Sequence, residues 1–253
     1  GAYQQESNAR LPLHNFETLQ QDFKRPDVNL LKDGLPDDHH LSTLGVYVDG
    51  KHYNNGCNTR FGPYPYCKQM LMTSFSTAKT AFAGLALMVM AQEFGPDVYN
   101  TRVIDLLPEA RTSPGKWDEV TLNHLNDMSS GNFENPSPLA DPGPGNFYAD
   151  SGRNEKLKDA FLWPNGSPPG ARFVYQTADT FIQVAALDVY LAMHSNYTDS
   201  FTYLVDRVYR PLGVEPGVWS TRRTRDEGRV NSGTAFGGMG MFFTPDAIVK
   251  IAR

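Results

Sequence analysis

A serine and a lysine stand three positions apart in Ser76-Thr77-Ala78-Lys79, at the start of the longest apolar stretch of the chain. A serine hydroxyl is a weak nucleophile at neutral pH and needs a base within hydrogen-bond reach. Residues three apart on a helix lie on one face, a turn from each other. The free N–H groups and the dipole of a helix start favour negative charge on a reacting oxygen. The spacing therefore predicts Ser76 as a nucleophile and Lys79 as its general base.

The same spacing occurs again in Ser113-Pro114-Gly115-Lys116. That copy contains Pro-Gly, which favours a turn, and no apolar helix follows it. The first copy leads into a helix predicted over Thr77–Phe94, which Gly95-Pro96 ends. The middle of this helix is apolar on all faces, which indicates burial on every side. We therefore place the chemistry at Ser76 and not at Ser113.

Tyr175-Gln176-Thr177 supplies a second candidate element. A tyrosine hydroxyl at the mouth of a site can share a proton with a lysine and deliver it to a leaving group. Tyr53 and Tyr99 are also followed by polar residues, but only Tyr175 follows a Pro-Gly loop and leads into an amphipathic helix. That helix is predicted over Thr177–His194.

The elements that must position these residues follow from the apolar pattern. A strand over Leu44–Val48, the turn signal Asp49-Gly50 and a return strand from Lys51 predict a hairpin. Further helices are predicted around Phe16, Leu19 and Phe23, from the cap Thr121 to near Gly131, over Phe201–Val208 and from Pro245 onward, and irregular segments are predicted over 54–70, 132–170 and 214–236.

Taken together and in this order, the motifs resemble those of the serine β-lactamase and penicillin-binding-protein superfamily, specifically its class C β-lactamase and esterase branch. The resemblance covers roughly residues 42–253. It rests on the hairpin Val46–Tyr53, the nucleophile segment Phe75–Thr80, the stretches Val120–Gly131 and Pro169–Thr177, Tyr209–Gly213, and Gly237–Met239 followed by Asp246 and Lys250.

The resemblance implies an α/β (α+β) fold of the β-lactamase/DD-peptidase type, with an antiparallel sheet flanked by helices and an all-helical region. Residues 1–253 would form one catalytic domain, with a helix and sheet strands in 1–75, a mainly helical region with long loops in 76–236, and a return to the sheet in 237–253. Nothing in the chain matches the K-T-G or H-x-G motif that the family carries on its last strands. We therefore expect a C-terminally incomplete domain, whose sheet a second chain or segment would complete.

The resemblance also implies roles. Ser76, Lys79 and Tyr175 would be catalytic, and Thr177, Gln176 and Gly238 would bind substrate; Thr177 stands where the family has an amide. The substrate would be a small ester or amide, such as a β-lactam, a peptide ending in a D-residue or a simple ester, with no cofactor. The alternatives are a catalytically inactive binding protein on the same scaffold, or one piece of a split or processed hydrolase.

Composition and motifs argue against several other classes of protein. The net charge is −5 with 20% charged residues, so no basic face for nucleic acid is expected. No apolar run reaches the about 18–20 residues that span a bilayer. Six scattered histidines without H-E-x-x-H predict no metal site. The segment Gly45–His52 has P-loop spacing except at its last residue, but it is a predicted strand and turn. No G-x-S-x-G occurs, which disfavours an α/β-hydrolase.

Cys57 and Cys67 are the two cysteines, ten positions apart in a Gly/Pro/Tyr-rich stretch. They form either a local disulfide or two free thiols. A disulfide would imply an oxidising compartment, so we expect a secreted or periplasmic protein.

Overall fold

A computed structural model of the chain describes residues 1–24, 40–136, 141–226 and 233–253. Parts of the predicted loops 132–170 and 214–236 therefore lie outside the described residues. The chain forms two compact units. The first unit consists of Gly1–Met72, Arg210–Val218 and Phe242–Arg253, and the second of Thr73–Tyr209 and Trp219–Met241.

The described residues form a mixed α/β structure, as expected. The α-helices are α1 Ala2–Ala9, α2 Thr18–Phe23, α3 Leu85–Phe94, α4 Val103–Leu106, α5 Leu122–Asn126, α6 Arg153–Ala160, α7 Thr177–His194, α8 Ser200–Leu204 and α9 Pro245–Ala252. The strands are β1 Leu13–Asn15, β2 Thr43–Val48, β3 Lys51–Thr59, β4 Gly62–Pro63, β5 Met72–Thr73 and β6 Phe242–Phe243. Short 3₁₀ segments and the π-helical turns Lys79–Gly84 and Val205–Tyr209 complete the elements. In this part of the chain no helix has the length and apolar character needed to cross a bilayer.

The sheet of the first unit is built around β3, which pairs with β1 on one side and β2 on the other. The predicted hairpin is present: β2 and β3 are antiparallel, with Val46 opposite Tyr53 and the turn at Asp49 and Gly50, both at positive φ. β1 pairs with β3 in parallel, a departure from the expected all-antiparallel sheet. The reason is that α2 intervenes after β1, so the chain does not return by a hairpin.

The return strand is longer than predicted. β3 continues to Thr59, into the segment 54–70 that its Asn and Gly content marks as irregular. Pairing of Thr43 with Cys57 and of Asn58 with Pro63 satisfies its backbone and overrides the local preference. Cys57, within β3, forms a disulfide with Cys67, which decides between the two alternatives that the sequence leaves open.

Helix α7 is the centre of the second unit and has the bounds predicted from its apolar pattern. It packs against α3, α5, α6 and α8, all within this unit. The helix predicted over Thr77–Phe94 also forms, but its first part, Lys79–Gly84, is π-helical. Its predicted burial on every side is wrong along one face, because Met88 is 59% exposed and Leu85 and Val89 are only partly buried.

Helix α6 lies inside the segment predicted to be irregular, and it carries a buried lysine. Lys156 donates a hydrogen bond to the Phe147 carbonyl. Its ammonium lies 4.5 Å from the Phe147 ring centroid and 4.8 Å from that of Phe236. Burial, with a smaller contribution from Arg222, lowers the pKa of Lys156 to about 8. The contact anchors Phe147 and its loop to α6.

Candidate active site

Ser76 lies on a turn at the start of the helix that runs through the π-helical segment Lys79–Gly84 into α3. The residue before it, Phe75, has φ of 42° and a ring that is 78% exposed. This left-handed backbone is uncommon for a bulky residue. Thr77 N–H donates to the Ser74 carbonyl at 3.0 Å and Lys79 N–H to the Ser76 carbonyl at 2.9 Å. The turn therefore presents the Ser76 hydroxyl to solvent at a helix start.

The N–H of Ser76 is a donor without an acceptor among the residues that the structure describes. An N–H at a helix start is suited to bind an anionic oxygen. This donor is on the same residue as the exposed hydroxyl.

The Lys79 amine has three hydrogen-bond partners among the residues that the structure describes. It lies 3.2 Å from Ser76 Oγ, 2.9 Å from Thr177 Oγ1 and 3.3 Å from the Gly238 carbonyl oxygen. Two of the three tetrahedral directions at Nζ are therefore taken by Thr177 and Gly238. The third faces Ser76, whether it holds a proton or a lone pair.

Tyr175 lies on the other side of the serine. Its hydroxyl donates to Ser76 Oγ at 2.5 Å, across 99 positions of sequence. The ring centroid is 4.8 Å from Lys79 Nζ. Val174, which is buried, fixes this segment because its N–H donates to the Met128 carbonyl at 2.9 Å. The structure thus brings Ser76, Lys79 and Tyr175 together.

Gly238 contributes its backbone and not a side chain. A Cβ at this position would lie 2.6 Å from Thr177 Cγ2 and 3.3 Å from Lys79 Nζ. The first distance is a clash, so the approach of this carbonyl to Lys79 requires glycine. The residue expected to bind substrate here holds the lysine.

Thr177, also expected to bind substrate, is buried and has both sides of its hydroxyl occupied. It accepts from Lys79 and donates to Asp141 Oδ2 at 2.5 Å. The other oxygen of Asp141 accepts the Thr177 N–H at 3.1 Å. This carboxylate therefore caps the first N–H of α7, a role that the preceding residue, Gln176, does not fill with its side chain.

Gln176 does not reach the site. Its side chain is 5% exposed and its amide donates to the Asn132 carbonyl at 3.0 Å. The extended backbone at this position points alternate side chains to opposite sides, so Gln176 lies inside while Tyr175 faces Ser76. The structure therefore does not bring the Gln176 side chain, which the motif resemblance assigns to substrate binding, to Ser76 and Lys79.

The second S-x-x-K copy has a structural explanation. Ser113 Oγ donates to the Ala110 carbonyl at 2.7 Å. Lys116 N–H donates to Asn132 Oδ1 at 2.9 Å, and Asn132 Nδ2 donates back to the Lys116 carbonyl at 3.0 Å. A Cβ at Gly115 would lie 2.8 Å from the Trp163 carbonyl oxygen. These residues shape a tight turn.

Two residues of the site have no signal in the sequence that would find them. Asp141 belongs to a Pro/Gly-rich stretch, where an aspartate is an ordinary turn residue. Tyr148 donates from its hydroxyl to the Asp141 carbonyl at 3.3 Å. Burial is the main cause that raises the pKa of Tyr148 above its usual range, so its hydroxyl is a proton donor at neutral pH.

The titratable side chains here do not form a metal centre. Among the described residues, no group of three or more His, Cys, Asp or Glu side chains is arranged to hold a metal ion. The Ser76 hydroxyl has the Lys79 amine and the Tyr175 hydroxyl at hydrogen-bond distance, and both of these groups can carry a proton.

Comparison with known proteins identifies the fold. No protein-family model matches the chain, and no curated protein matches it in sequence. Among solved structures, a protein described as a 6-aminohexanoate-dimer hydrolase from Bacillus anthracis matches with a TM-score of 0.61 at 17% identity, over 95% of this chain and 61% of its own. A D-alanine carboxypeptidase from Burkholderia cenocepacia matches with 0.55 at 20% identity, over 92% and 62%.

A class C β-lactamase matches with a TM-score of 0.54 at 17% identity, over 92% of this chain and 60% of its own. The chain thus spans about three fifths of the length of these three structures. At this level of identity the likeness concerns the fold, and it confirms the β-lactamase/DD-peptidase-like fold expected from the motifs.

Proposed function

We propose that this chain, whose fold is that of the serine β-lactamase and penicillin-binding-protein superfamily, is a serine hydrolase that acts through an acyl-enzyme. One observation carries the proposal. Ser76 Oγ lies 3.2 Å from Lys79 Nζ and 2.5 Å from the Tyr175 hydroxyl. A nucleophile with a base and a second proton carrier at hydrogen-bond distance is the arrangement that acyl transfer needs.

In the acylation step, Ser76 Oγ attacks the carbonyl carbon of the substrate and its proton passes to Lys79 Nζ. Thr177 and Gly238 hold the other two directions of the amine, so its basic lone pair faces Ser76. The carbonyl oxygen becomes an oxyanion, and the Ser76 N–H is the donor available to stabilise it.

Tyr175 then gives its proton to the leaving group as the bond from the carbonyl carbon to that group breaks. Lys79, now protonated and 4.8 Å from the tyrosine ring centroid, is the source that restores this proton. In deacylation, Tyr175 passes its proton to Lys79 and takes a proton from water as the water attacks the acyl ester, and Lys79 returns its proton to Tyr175 when the acyl–oxygen bond to Ser76 breaks. Ser76 leaves with the proton that Tyr175 took from water, which balances the cycle.

The substrate class is a small ester or amide. The names of the three similar structures refer to a 6-aminohexanoate dimer, D-alanine and a β-lactam. The rings of Phe75 and Phe173 are exposed, next to Ser76 and two residues before Tyr175, which favours a substrate with an apolar group beside its carbonyl. The Cys57–Cys67 disulfide supports a secreted or periplasmic location.

A fluorophosphonate probe tests the nucleophile directly. We expect intact-mass and peptide mass spectrometry to find one adduct, on Ser76. Ser76→Ala should abolish the adduct, whereas Ser113→Ala, the matched control in the second S-x-x-K copy, should label like the wild type.

Turnover is tested with a chromogenic ester and a chromogenic cephalosporin. Lys79→Ala is expected to lower kcat by about 100-fold or more, because the proton acceptor is lost. Labelling that persists in Ser76→Ala would contradict the assignment. Adduct formation at Ser76 without turnover of any ester or amide would favour the alternative, a binding protein on the same scaffold.

A further inference from the structure

The distance between Thr177 and Lys79 does not by itself give the direction of their hydrogen bond, because a threonine hydroxyl can either donate to the Lys79 amine or accept from it. If it donated, the amine would have to offer its lone pair to Thr177 and would have none for Ser76. The function proposed above therefore requires that Thr177 accept from Lys79.

Asp141 removes this ambiguity. An ionised carboxylate only accepts hydrogen bonds, and Asp141 Oδ2 lies 2.5 Å from Thr177 Oγ1. The hydroxyl proton is thus held on the side of Asp141, and the oxygen lone pairs face Lys79 Nζ at 2.9 Å. We propose that Asp141 is a positioning residue that acts through Thr177 to aim the Lys79 amine at Ser76; this inference rests on the proposed function.

The direction of the carboxylate is itself fixed. Asp141 Oδ1 accepts the Thr177 N–H at 3.1 Å, so both oxygens bind the same residue. The N–H is at the start of α7, where the helix dipole favours a negative charge. Thr177 is 4% exposed, which shields the hydrogen bond from water and strengthens it.

The loop that carries Asp141 is tied down at further points. The Tyr148 hydroxyl donates to the Asp141 carbonyl at 3.3 Å, and Asn146 N–H donates to Asp159 Oδ2 at 2.5 Å. Lys156 holds the Phe147 carbonyl. These contacts keep the carboxylate in place without touching Ser76 or Lys79.

A double-mutant cycle between Asp141 and Thr177 tests the proposal, with the second-order rate constant of fluorophosphonate labelling at Ser76 as readout. Asp141→Ala and Thr177→Val should each lower this constant by about 10- to 100-fold, because the amine is no longer aimed. Thr177→Ser keeps the hydroxyl and should stay within about threefold of the wild type. In the Thr177→Val background, Asp141→Ala should cause no further loss beyond about twofold.

A thermal unfolding series separates positioning from simple stabilisation. Asp141 still accepts the backbone N–H of residue 177 in Thr177→Val, so Asp141→Ala should lower Tm in both backgrounds while it lowers the labelling rate in only one. Asp199→Asn, which weakens an aspartate cap on helix α8 that contacts none of Ser76, Lys79, Thr177 or Asp141, is the matched control and should lower Tm without changing the labelling rate at a temperature where the protein is folded. Asp141→Asn replaces Asp141→Ala if the latter does not fold.

Equal further losses of rate in both backgrounds, or a wild-type rate in Asp141→Ala and Asp141→Asn, would overturn the inference while Ser76 labelling in the wild type still supports the hydrolase. Absence of any Ser76 adduct in the wild type would overturn both.

Discussion

Among the described residues, the Lys79 amine has hydrogen-bond partners in three separate parts of the chain. Ser76 is three positions away, whereas Thr177 is 98 and Gly238 is 159 positions away. An amine has no geometric preference of its own on a flexible stem, so these distant partners determine where it points. The direction in which the Lys79 amine points therefore depends on the packing around Gly238 and Thr177 as much as on the Ser76–Lys79 spacing.

Gly238→Ala tests this packing. The new methyl group would lie 2.6 Å from Thr177 Cγ2, so either that side chain or the Gly238 carbonyl must move away from Lys79. We expect the rate of Ser76 labelling to fall by about 10- to 100-fold. In Gly217→Ala, the control, the nearest atoms lie 3.8 Å away, and labelling should not change. A wild-type rate in Gly238→Ala would contradict the proposed dependence on this close approach.

Individual site residues could be predicted from the sequence where their neighbours along the chain position them. Ser76 and Lys79 are predicted from one helical turn, and Tyr175 from the loop and helix around it. Asp141 could not be predicted, because its partner Thr177 is 36 positions away and nothing local distinguishes it from a turn residue. The inward position of the Gln176 side chain could not be predicted for the same reason, since its partner is a backbone carbonyl that only the fold supplies.

The bounds of helix α7 could be predicted from the sequence, whereas the environment of a buried side chain in its first turn could not. Its bounds follow from an apolar period and a preceding Pro-Gly loop. Helix α6 was not predicted because its sequence is mainly charged and buries only Lys156, Leu157 and Ala160.

Asp179, in the first turn of α7, is 1% exposed. Burial raises the pKa of its carboxyl to about 7, although hydrogen bonds from Ser130 act to lower it.

Asp179 gives the stability of the fold a pH dependence. The folded-state pKa lies above 3.8, the usual value of an aspartate, so the folded state binds more protons than the unfolded state between about pH 4 and pH 7. Stability should therefore fall as pH rises through this window. Asp179→Asn should remove that fall and raise the unfolding free energy at pH 8 by about 1–3 kcal/mol, with little change at pH 4.

Urea unfolding at pH 4, 6 and 8 measures the effect. Asp118→Asn changes an exposed carboxyl and serves as control; its difference from the wild type should be the same at all three pH values. A pH-independent difference for Asp179→Asn would show that the buried carboxyl does not titrate in this range.

The described chain forms two compact units, and each is stabilised in a different way. The first has a small sheet, with a core of Phe16, Leu19 and Tyr53, and a disulfide. The second has helices around α7 and contains every residue of the proposed site. The class of fold could be predicted from the order of the motifs. The division into units could not, because it depends on contacts between distant segments.

Removal of the disulfide should destabilise the fold. The bridge closes a loop with a sequence separation of 10, so its loss should cost about 2–3 kcal/mol through the entropy of the unfolded chain. We expect dithiothreitol to lower the Tm of the wild type to that of the Cys57→Ser/Cys67→Ser double variant. The double variant itself should not respond to the reductant. An identical Tm for wild type and double variant without reductant would contradict a stabilising role.

The burial of Lys156 among phenylalanine rings has a practical side. An acylating reagent that modifies surface amines cannot reach this nitrogen while α6 and its loop are packed, and it gains access once they separate. After treatment with such a reagent, the mass of the peptide around residue 156 therefore reports whether the second unit has opened, without an engineered cysteine.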